Sequence, residues 1–557
     1  MNERKAIPIG IEDFKEVIDR NCYLVDKTLL IKDIIDTGAK VTLFTRPRRF
    51  GKTLNMSMLK RYFEKTDEDN SYVFDGLKIS EAGEKYRQYM GKYPVISISL
   101  KSMKQPTWDL ALNEFVKIIS NEFRQHKNIL DSNKIFGSDK EELLNICERK
   151  ENYSMYNTAL KLLSNCLREV YDQKVIILID EYDVPLENAY FNGFYDKMIN
   201  LIRSVFESVL KTNASLEFGV LTGCLRISKE SIFTGLNNLK VNSIRFEEYS
   251  NYFGFTESEI RDLTEYYEIE NKFDDIKQWY DGYRFGTTEI YNPWSVLNYI
   301  QTAITMPEAP PEPYWSNTSS NSIIHKLITE SDITVRDMVE QLMNGESISV
   351  PIFEDTVYAD IDVNSDSIWS FLLFTGYLKI INSKNIDNLL YADLVIPNIE
   401  VRTIYQRTII QWFKEKVSVN PRQELFEALI NQETEKMEDI LCDWLDETIS
   451  YHDEKEQFYH GFLAGLLSGF RGYTLRSNRE SGNGRPDIML MERRRRELAI
   501  VIEVKDTRNF KDLEKLCDEG LAQIERLNYE SELKNDGYKK VLKYGIAFCQ
   551  KSCMVKQ

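Results

Sequence analysis

The stretch Arg46-Pro-Arg-Arg-Phe-Gly-Lys-Thr53 decides the fold, because it lies between a short β-rich run at 40–46 and a helical pattern at 52–64. Strand, loop and helix in this order predict a phosphate-binding loop, since a helix N-terminus offers unpaired amides and the positive end of a dipole to an anion. Gly51-Lys52-Thr53 is the second half of a Walker A motif. In that motif the lysine reaches the β and γ phosphates of a nucleotide, and the threonine hydroxyl ligates Mg²⁺.

Arg46 stands at the position where this motif usually has glycine. A side chain there makes a positive φ costly, and we expect it to place a cation beside the phosphates. Two further arginines follow, and we expect these cations to take over part of the work of a glycine-rich backbone. The candidate nucleotide site therefore covers the loop and the first helical turn, with Arg46, Arg48, Arg49, Phe50, Gly51, Lys52, Thr53 and Leu54.

The run Val175-Ile-Ile-Leu-Ile-Asp-Glu181 has the form of a Walker B strand, in which apolar residues end in two acids. Asp180 is expected to hold Mg²⁺, and Glu181 to orient the attacking water. The alternative is a buried strand that ends at a solvated acidic turn. Arg226 follows a further apolar run at 218–221, where it is either a sensor of the γ-phosphate or a surface arginine on a loop.

The spacing of apolar runs predicts an α/β architecture. Short runs at 95–100, 175–179 and 218–221 alternate with long helical segments, a pattern that favours a parallel sheet covered by helices. Later the sequence becomes aromatic-rich and mostly helical, and the order helix, strand (378–381), strand (389–396), helix resembles a winged helix. We expect four parts, which are the nucleotide-binding domain (1–245), a helical lid with a winged-helix-like region (246–420), a helical bridge (421–454) and a C-terminal domain (455–557).

Two carboxylates and a lysine near the C-terminus form a second candidate site. Arg485-Pro-Asp487 begins one predicted strand, and Ile500-Val-Ile-Glu-Val-Lys505 ends the next. Adjacent strands bring Asp487 and Glu503 together as ligands of a hard cation, and Lys505 shares a face with Glu503 because side chains alternate along a strand. Mg²⁺ held there lowers the pKa of bound water, while the lysine positions the nucleophile.

The elements around these acids are predicted as helix (455–469), strands (473–477, 487–491, 498–504), helix (511–527) and strand (541–548). Glu456 on the first helix and Gln523 on the second are expected to face the acids and to take part in catalysis. His460, one turn after Glu456, is more often a packed helix residue than a catalyst. Arg493 to Arg496 lie in the turn between the two strands, and phosphate contact or a solvated hairpin tip explains them equally well.

Motifs along most of the chain resemble those of the bacterial AAA-ATPase-like family that is commonly fused to a PD-(D/E)xK nuclease domain. The resemblance implies an ATPase core, a helical lid with a winged helix, and a C-terminal restriction-endonuclease-like α/β domain of order α-β-β-β-α-β. In that family arginine replaces the first Walker A glycine. Besides the 46–53 loop, the motifs are Pro8-Ile-Gly-Ile, Val25-Asp-Lys-Thr28, Asp180-Glu-Tyr-Asp183, Leu221-Thr-Gly, Ser231-Ile-Phe-Thr-Gly-Leu-Asn-Asn238, Trp279-Tyr-Asp-Gly-Tyr-Arg-Phe-Gly286, Tyr291-Asn-Pro-Trp294 and Tyr314-Trp-Ser-Asn-Thr-Ser319.

Composition limits the classes of function. A length of 557 residues predicts two to four domains, and a net charge of −17 argues against a protein that coats nucleic acid by bulk attraction, so any such site must be a local patch. The sequence contains no apolar run of about 18 residues, so it predicts no membrane span. The lack of a secretory signal and the eight scattered cysteines indicate a cytoplasmic protein, and Cys549 with Cys553 makes an improbable zinc site.

Two functional hypotheses follow from the sequence. In the first, ATP binding or hydrolysis gates Mg²⁺-dependent cleavage of DNA or RNA, in a role against foreign nucleic acid that analogy suggests. In the second, the chain is a nucleotide-dependent switch or nucleic-acid-binding module without cleavage activity. Both use ATP and Mg²⁺ as cofactors and nucleic acid as a partner, and both leave a homo-oligomer open.

Overall fold

The computed structural model describes residues 4–226, 238–315, 333–354, 358, 365–416, 419–448, 456–468, 470, 472–477 and 486–557. The chain forms two compact units. Unit 1 consists of Met1–Ser319 and Ser349–Glu400, and unit 2 of Ser320–Ile348 and Val401–Gln557. No helix in these described ranges is long and apolar enough to cross a membrane.

The centre of unit 1 is a parallel five-stranded sheet of order β2-β3-β4-β1-β5. Every residue of β1 and β3 is buried, as expected for strands covered on both faces. This confirms the predicted parallel sheet and adds β5, which the sequence did not predict. The strands are β1 (Val41–Thr45), β2 (Val95–Ser99), β3 (Val175–Asp180), β4 (Leu216–Gly223) and β5 (Leu239–Asn242).

Helices flank and connect these strands. The longest bury one apolar stripe each, so that α6 places Phe115, Ile119 and Phe123 in the core. They are α1 (Phe14–Asp19), α2 (Leu29–Thr37), α3 (Lys52–Phe63), α4 (Lys78–Glu81), α5 (Glu84–Arg87), α6 (Trp108–Gln125), α7 (Gly137–Cys147), α8 (Ala159–Tyr171), α9 (Val184–Phe191) and α10 (Tyr195–Leu210).

The region predicted as a helical lid contains α11 (Glu257–Tyr266), α12 (Phe273–Tyr280), the two-stranded sheet of β6 (Tyr283–Phe285) and β7 (Thr288–Ile290), and α13 (Pro293–Thr305). Its helices begin at residues suited to capping. Thr256 and Glu259 form a capping box, and Asn292 accepts bonds from the first turn of α13. Its core is rich in tyrosine, including Tyr267, Tyr280, Tyr291 and Tyr299.

The predicted helix-strand-strand-helix order of the middle region is present. It consists of α15 (Ser365–Thr375), β9 (Lys379–Ile386), β10 (Leu389–Val395) and α16 (Ile399–Lys416), and β8 (Ile348–Ile352) completes a sheet of order β8-β10-β9. Asp387 and Asn388 both have positive φ, the signature of the two-residue turn that suits a twisted hairpin. Helix α14 (Ile333–Met343) precedes β8, and α16 begins in unit 1 and continues into unit 2.

Unit 2 is built on a mixed sheet in which β11 to β15 lie in sequence order. All neighbours are antiparallel except β13 and β14, which are parallel and joined by two helices. This confirms the predicted α-β-β-β-α-β order and adds α21 and β15. The strands are β11 (Tyr473–Ser477), β12 (Ile488–Glu492), β13 (Leu498–Asp506), β14 (Lys540–Cys549) and β15 (Ser552–Lys556). The helices are α17 (Val419–Asn431), α18 (Thr434–Thr448), α19 (Glu456–Leu466), α20 (Leu513–Arg526) and α21 (Tyr529–Asn535).

Candidate functional sites

The loop between β1 and α3 contains two residues in the left-handed conformation. Arg49 has φ 70° and Gly51 has φ 80°, whereas Arg46 is not among the residues with positive φ. The Walker A spacing predicts the conformational cost of the missing glycine at position 46. The structure places the left-handed turn at 49 and 51 instead, so a side chain at Arg46 carries no backbone penalty.

The Arg46 guanidinium is fully buried against the edge of the sheet. It donates to the main-chain oxygens of Thr45 and Asn242 at 2.9 and 2.8 Å and to Asn242 Oδ1 at 2.6 Å. Its charge lies 5.1 Å from the ring centroids of both Phe253 and Phe285. The expectation that Arg46 presents its cation to phosphates is therefore corrected, because its terminal nitrogens donate to β1 and β5 and its guanidinium lies beside two aromatic rings.

Lys52 holds its ammonium within the loop. The side chain is buried, and Nζ donates to the carbonyl oxygens of Arg46 and Pro47 at 2.9 Å each and to Cys224 Sγ at 3.6 Å. The cation thus lies between the loop and the end of β4. This is a location suited to an anion bound at the N-terminus of α3, where Leu54 completes the first turn.

The ends of β3 and β4 gather the groups that suit a metal-bound nucleotide. Asp180 accepts a bond from Thr53 Oγ1 at 2.7 Å and a short one from the Thr222 hydroxyl. Burial raises the pKa of Asp180 despite these two bonds. The next residue, Glu181, is non-glycine but has φ 53°, and its amide donates to Thr222 Oγ1 at 3.2 Å. Backbone strain of this kind is often found at functional sites.

The remaining loop side chains reach different partners. Arg48 forms an ion pair with Glu187 of α9. The Arg49 guanidinium lies 4.5 Å from the ring centroid of Trp294, and Phe50 is fully buried. Only Lys52 of the four basic loop residues is therefore directed at the loop itself.

Asp183 belongs to this site, although no role was predicted for it from the sequence. Its carboxylate accepts from the amides of Cys224 and Leu225 at 2.7 and 3.1 Å, so it joins the acidic turn after β3 to the loop after β4. Burial raises the pKa of Asp183 to about 6, against the lowering effect of the Lys52 charge. The position of Asp183 as the third acid of Asp180-Glu-Tyr-Asp183 is the sequence feature from which its place in the site could have been predicted. Arg226 ends the described part of this loop, and residues 231–237 of the predicted motif lie outside the described residues.

In unit 2, Asp487 immediately precedes β12 and Glu503 lies on its antiparallel neighbour β13, so the two acids come together as predicted. Ile488 pairs with Ile502, which sets Asp487 opposite Glu503. Asp487 is 9% exposed and Glu503 fully buried. Asp487 Oδ2 accepts from the amide of Val504 at 2.9 Å, and this bond fixes the carboxylate against the strand that carries Glu503.

Lys505 and Gln523 both contact Glu503. Lys505 Nζ lies 3.8 Å from Glu503 Oε2, and Gln523 Nε2 donates to the same oxygen at 2.9 Å. Gln523 reaches the strand because α20 packs closely on the sheet. Strand alternation predicts this position for Lys505, and the location of Gln523 on the following helix predicts it for Gln523.

His460 forms a hydrogen bond with the main chain of Asp487. Its Nε2 lies 2.8 Å from the carbonyl oxygen of Asp487. Because a carbonyl can only accept, Nε2 carries the proton and donates. Glu456 begins the same helix, but its side chain lies outside the described residues, so its predicted role stays a prediction.

The arginine run lies away from the acids. Arg493 to Arg496 are exposed at one end of β12, whereas Asp487 precedes the other end. The five residues of β12 separate them by roughly 17 Å. Arg493 donates to Thr474 Oγ1 at 2.9 Å, and Arg496 to the carbonyl of Asp536. Two further arginines near this run in the sequence, Arg479 and Arg485, lie outside the described residues.

The carboxylates suit a hard divalent cation. Burying two acids side by side is costly unless they are paired or coordinate a metal, and oxygen ligands match Mg²⁺. Within the ranges that the structure describes, no group of three or more His, Cys, Asp or Glu side chains could hold a metal ion. Mg²⁺ characteristically uses one or two carboxylates plus water and substrate phosphate, so the pair of Asp487 and Glu503 fits this mode, as does Thr53 with Asp180.

Comparisons with known proteins agree with both regions. Residues 8–233 match the family described as a predicted AAA-ATPase, and residues 454–557 match the PD-(D/E)XK nuclease superfamily. The chain therefore carries an AAA-ATPase-like domain and a C-terminal PD-(D/E)XK nuclease superfamily domain, which confirms the resemblance noted from its motifs.

One curated relative spans most of the chain. It is an uncharacterized protein in the vnfD 5′ region of Azotobacter chroococcum mcd 1, 25% identical over 508 residues, an alignment that covers 88% of this chain and 87% of the relative. A solved structure with a distant likeness is the Walker-type ATPase PABY2304 of Pyrococcus abyssi. It has a TM-score of 0.35 at 13% identity and covers 73% of this chain and 99% of that one.

Proposed function

We propose that this chain, with its AAA-ATPase-like domain and its PD-(D/E)XK nuclease superfamily domain, is an ATP-regulated nuclease. ATP with Mg²⁺ binds at the β1–α3 loop, and its binding or hydrolysis controls Mg²⁺-dependent phosphodiester cleavage at Asp487 and Glu503. The proposal includes a cytoplasmic location. A role against foreign nucleic acid is a further part of it, which rests on analogy with the pairing of these domains.

The observation that carries the cleavage half is the set of contacts on Glu503. A fully buried carboxylate contacts both Lys505 and Gln523 and faces a second acid, Asp487, across the strand pair. A domain that only binds nucleic acid has no need for two buried acids. A divalent cation at the acids would activate water and stabilise charge at phosphorus. In this scheme Lys505 orients the attacking water, and Gln523 holds the Glu503 carboxylate in place.

The nucleotide half is supported by the order of groups around Lys52. Lys52 offers its ammonium to the phosphates, and Thr53 and Asp180, already joined by a 2.7 Å bond, would share the Mg²⁺ ion. Glu181, at the strained turn beyond, is the residue placed to orient water for hydrolysis.

Control of one domain by the other requires a physical route from the loop, and two contact chains support one. In the first, the Phe50 ring packs against Tyr283 with centroids 4.9 Å apart. The neighbouring Gly282 lies so close to Pro397 that an added Cβ would be 2.1 Å from the Pro397 carbonyl oxygen. Asn398 then donates to Asp281 O at 2.6 Å. The loop is thereby connected to the residues just before α16.

The second chain starts at Arg49 and ends at the same place. Arg49 stacks on Trp294, and the next residue, Ser295, donates to the two carboxylate oxygens of Glu400 at 2.8 and 2.9 Å. Glu400 lies in the first turn of α16, which continues into unit 2. A change in the loop on nucleotide binding would therefore act on the start of this helix through both contact chains.

The test uses purified full-length protein with Mg²⁺ and single- and double-stranded DNA and RNA, with and without ATP. We expect cleavage by the wild type and none by Asp487→Ala, which should still bind ATP. Lys52→Ala should lose ATP binding, and Glu181→Gln should bind ATP without turning it over. Lys505→Arg is the matched control, since it keeps the charge but alters its geometry and should retain partial cleavage.

The outcomes separate the two hypotheses. If wild type and Asp487→Ala behave alike on every substrate while nucleic acid still binds, the chain is a binding module, and cleavage is excluded from its function. If cleavage is present but Lys52→Ala cuts as fast as the wild type at every ATP concentration, the nuclease stands and ATP control fails.

A further inference from the structure

Two cysteines from distant parts of the sequence meet in unit 2. Cys442 lies on α18 and Cys553 on β15, 111 residues apart, and their Sγ atoms are separated by 3.7 Å. Both are free thiols, with Cys442 half-buried and Cys553 buried. The domain roles proposed above use neither residue.

Main-chain bonds hold this pair in register. The Cys553 amide donates to Cys442 Sγ at 3.4 Å. The side chain of Glu438, one turn earlier on α18, accepts from the Val555 amide at 2.7 Å. The Glu438 carbonyl oxygen lies 3.7 Å from Cys553 Sγ. The helix and the terminal strand are thus fastened on both sides of the thiols, which keeps the two sulfur atoms adjacent.

The two thiols differ in their chemistry. The hydrogen bond from Cys553 lowers the pKa of Cys442 to about 7, so a large share of Cys442 is thiolate near neutral pH. The same bond and burial raise the pKa of Cys553. Since the thiolate is the nucleophile, Cys442 is the residue suited to attack and Cys553 the one suited to resolve.

We propose that Cys442 and Cys553 are a redox-reactive dithiol that closes to an intramolecular disulfide in reaction with a small-molecule disulfide such as glutathione disulfide. The Cys442 thiolate attacks one sulfur of glutathione disulfide, forms a mixed disulfide and releases one glutathione thiolate. Cys553 then attacks Cys442 Sγ, loses its proton and releases the second glutathione. Two protein thiols are oxidised, and one disulfide is reduced to two thiols.

The closed form fastens α18 covalently to the edge of the sheet. For the bond to form, the two sulfur atoms must approach from 3.7 Å to about 2.05 Å. The crosslink restricts the unfolded chain over a long loop, so it should raise the resistance of unit 2 to unfolding. Cys549 is excluded from the pair because it lies opposite Ser552 in the hairpin and packs with Cys517.

The experiment is performed on the reduced full-length chain. It is incubated with excess glutathione disulfide in mildly alkaline buffer, quenched with acid, unfolded, alkylated and analysed by intact mass and peptide mapping. We expect alkylation at six of the eight cysteines, the loss of two hydrogen atoms, and a linked peptide pair that contains Cys442 and Cys553. The midpoint of urea unfolding should rise with oxidation and return on reduction.

Single substitutions assign the steps. Cys553→Ser should accumulate a glutathione adduct on Cys442, because the resolving thiol is missing, whereas Cys442→Ser should give no linked peptide. Cys517→Ser is the matched control and should form the link like the wild type. Alkylation of all eight wild-type cysteines after oxidation, or a link that involves other cysteines, overturns the proposal, and neither result depends on whether a variant folds.

Discussion

Glu400 shows how a single residue makes stability depend on pH. Its carboxyl group is fully buried and accepts bonds from the Ser295 hydroxyl and, at 2.8 Å, from the Trp315 amide. Burial raises its pKa to about 8, although these bonds act in the opposite direction. Between an unfolded-state pKa of about 4.3 and this value, the folded chain binds a proton that the unfolded chain has lost. Its contribution to stability is therefore complete at low pH and is lost as pH rises towards 8.

We expect Glu400→Gln to remove this dependence. In the wild type this group lowers the free energy of unfolding by up to about 1.4 kcal/mol for each pH unit in the window, and a neutral amide does not titrate. The variant should therefore gain stability relative to the wild type as pH rises from about 5 to about 8, as measured by urea unfolding at a series of pH values. Glu270→Gln, at an exposed site, serves as the control. A difference between Glu400→Gln and wild type that does not vary with pH contradicts the assignment.

His460 is a positioning residue under the proposed cleavage chemistry, because it holds the main chain of Asp487 and not the reacting atoms. His460→Ala should raise the Mg²⁺ concentration needed for half-maximal cleavage, by roughly tenfold, as is common for groups that orient a metal ligand. His460→Gln keeps an N–H donor near the position of Nε2 and should restore much of the Mg²⁺ affinity. Equal Mg²⁺ dependence in the wild type and both variants would leave His460 with a packing role alone.

At the scale of elements, the sequence predicted what depends on local pattern. The sequence predicted β1, β3, β12 and β13 within a residue or two, because apolar runs and motif spacing mark these strands. Strands β5 and β15 were missed, since each is short and only partly buried.

Because β5 was not predicted, the orientation of the Arg46 side chain could not be predicted either. The Arg46 side chain bonds to Asn242 on that strand, 196 residues away, so no local pattern could reveal where its charge points. The contact of Cys442 with Cys553 could not be predicted either, because the two residues are 111 positions apart in the sequence. By contrast, Thr53 with Asp180 and Asp487 with Glu503 could be paired from sequence, because strand order brings the ends of neighbouring strands together.

The packing of α20 on β14 leaves no room for a side chain at Gly545. A Cβ added at Gly545 would lie 2.2 Å from the carbonyl oxygen of Cys517, which is backbone and cannot rotate away. Gly545→Ala should therefore push the helix from the sheet and lower the free energy of unfolding by about 1–3 kcal/mol or more. Thermal and urea unfolding measure this cost.

Gly520→Ala is the matched control on the same helix. Its Cβ would meet Glu503 Cβ at 3.4 Å, an ordinary contact, and alanine favours a helix over glycine by up to about 1 kcal/mol. The same substitution should thus be neutral or stabilising at 520 and destabilising at 545. Equal effects at the two positions would show that close packing of α20 is not what requires glycine at 545.

At the scale of the whole molecule, the functional question is whether the state of the nucleotide loop reaches α16. One contact chain runs from Phe50 to Asn398, and the other runs from Arg49 to Glu400. These two end points lie two residues apart, where α16 begins. Coupling through such a network requires that its members hold two arrangements of unequal energy, one favoured by nucleotide. A variant that weakens the network but leaves both sites intact should therefore separate ATP binding from its effect on cleavage.

Asn398→Ala is that variant, because it removes the 2.6 Å bond to Asp281 O and touches neither Lys52 nor Glu503. Under the proposed function, its ATP affinity and its cleavage rate without ATP should match the wild type, while the ratio of cleavage rates with and without ATP falls towards one. Asn382→Ala, which removes an exposed bond from Asn382 to Asp393 on the β9–β10 hairpin, should keep the wild-type ratio. If Asn398→Ala retains the full ratio at unchanged ATP affinity, the signal does not pass through the start of α16. Because a ligand shifts a conformational equilibrium only by its difference in affinity for the two states, that result would require another element to carry the difference.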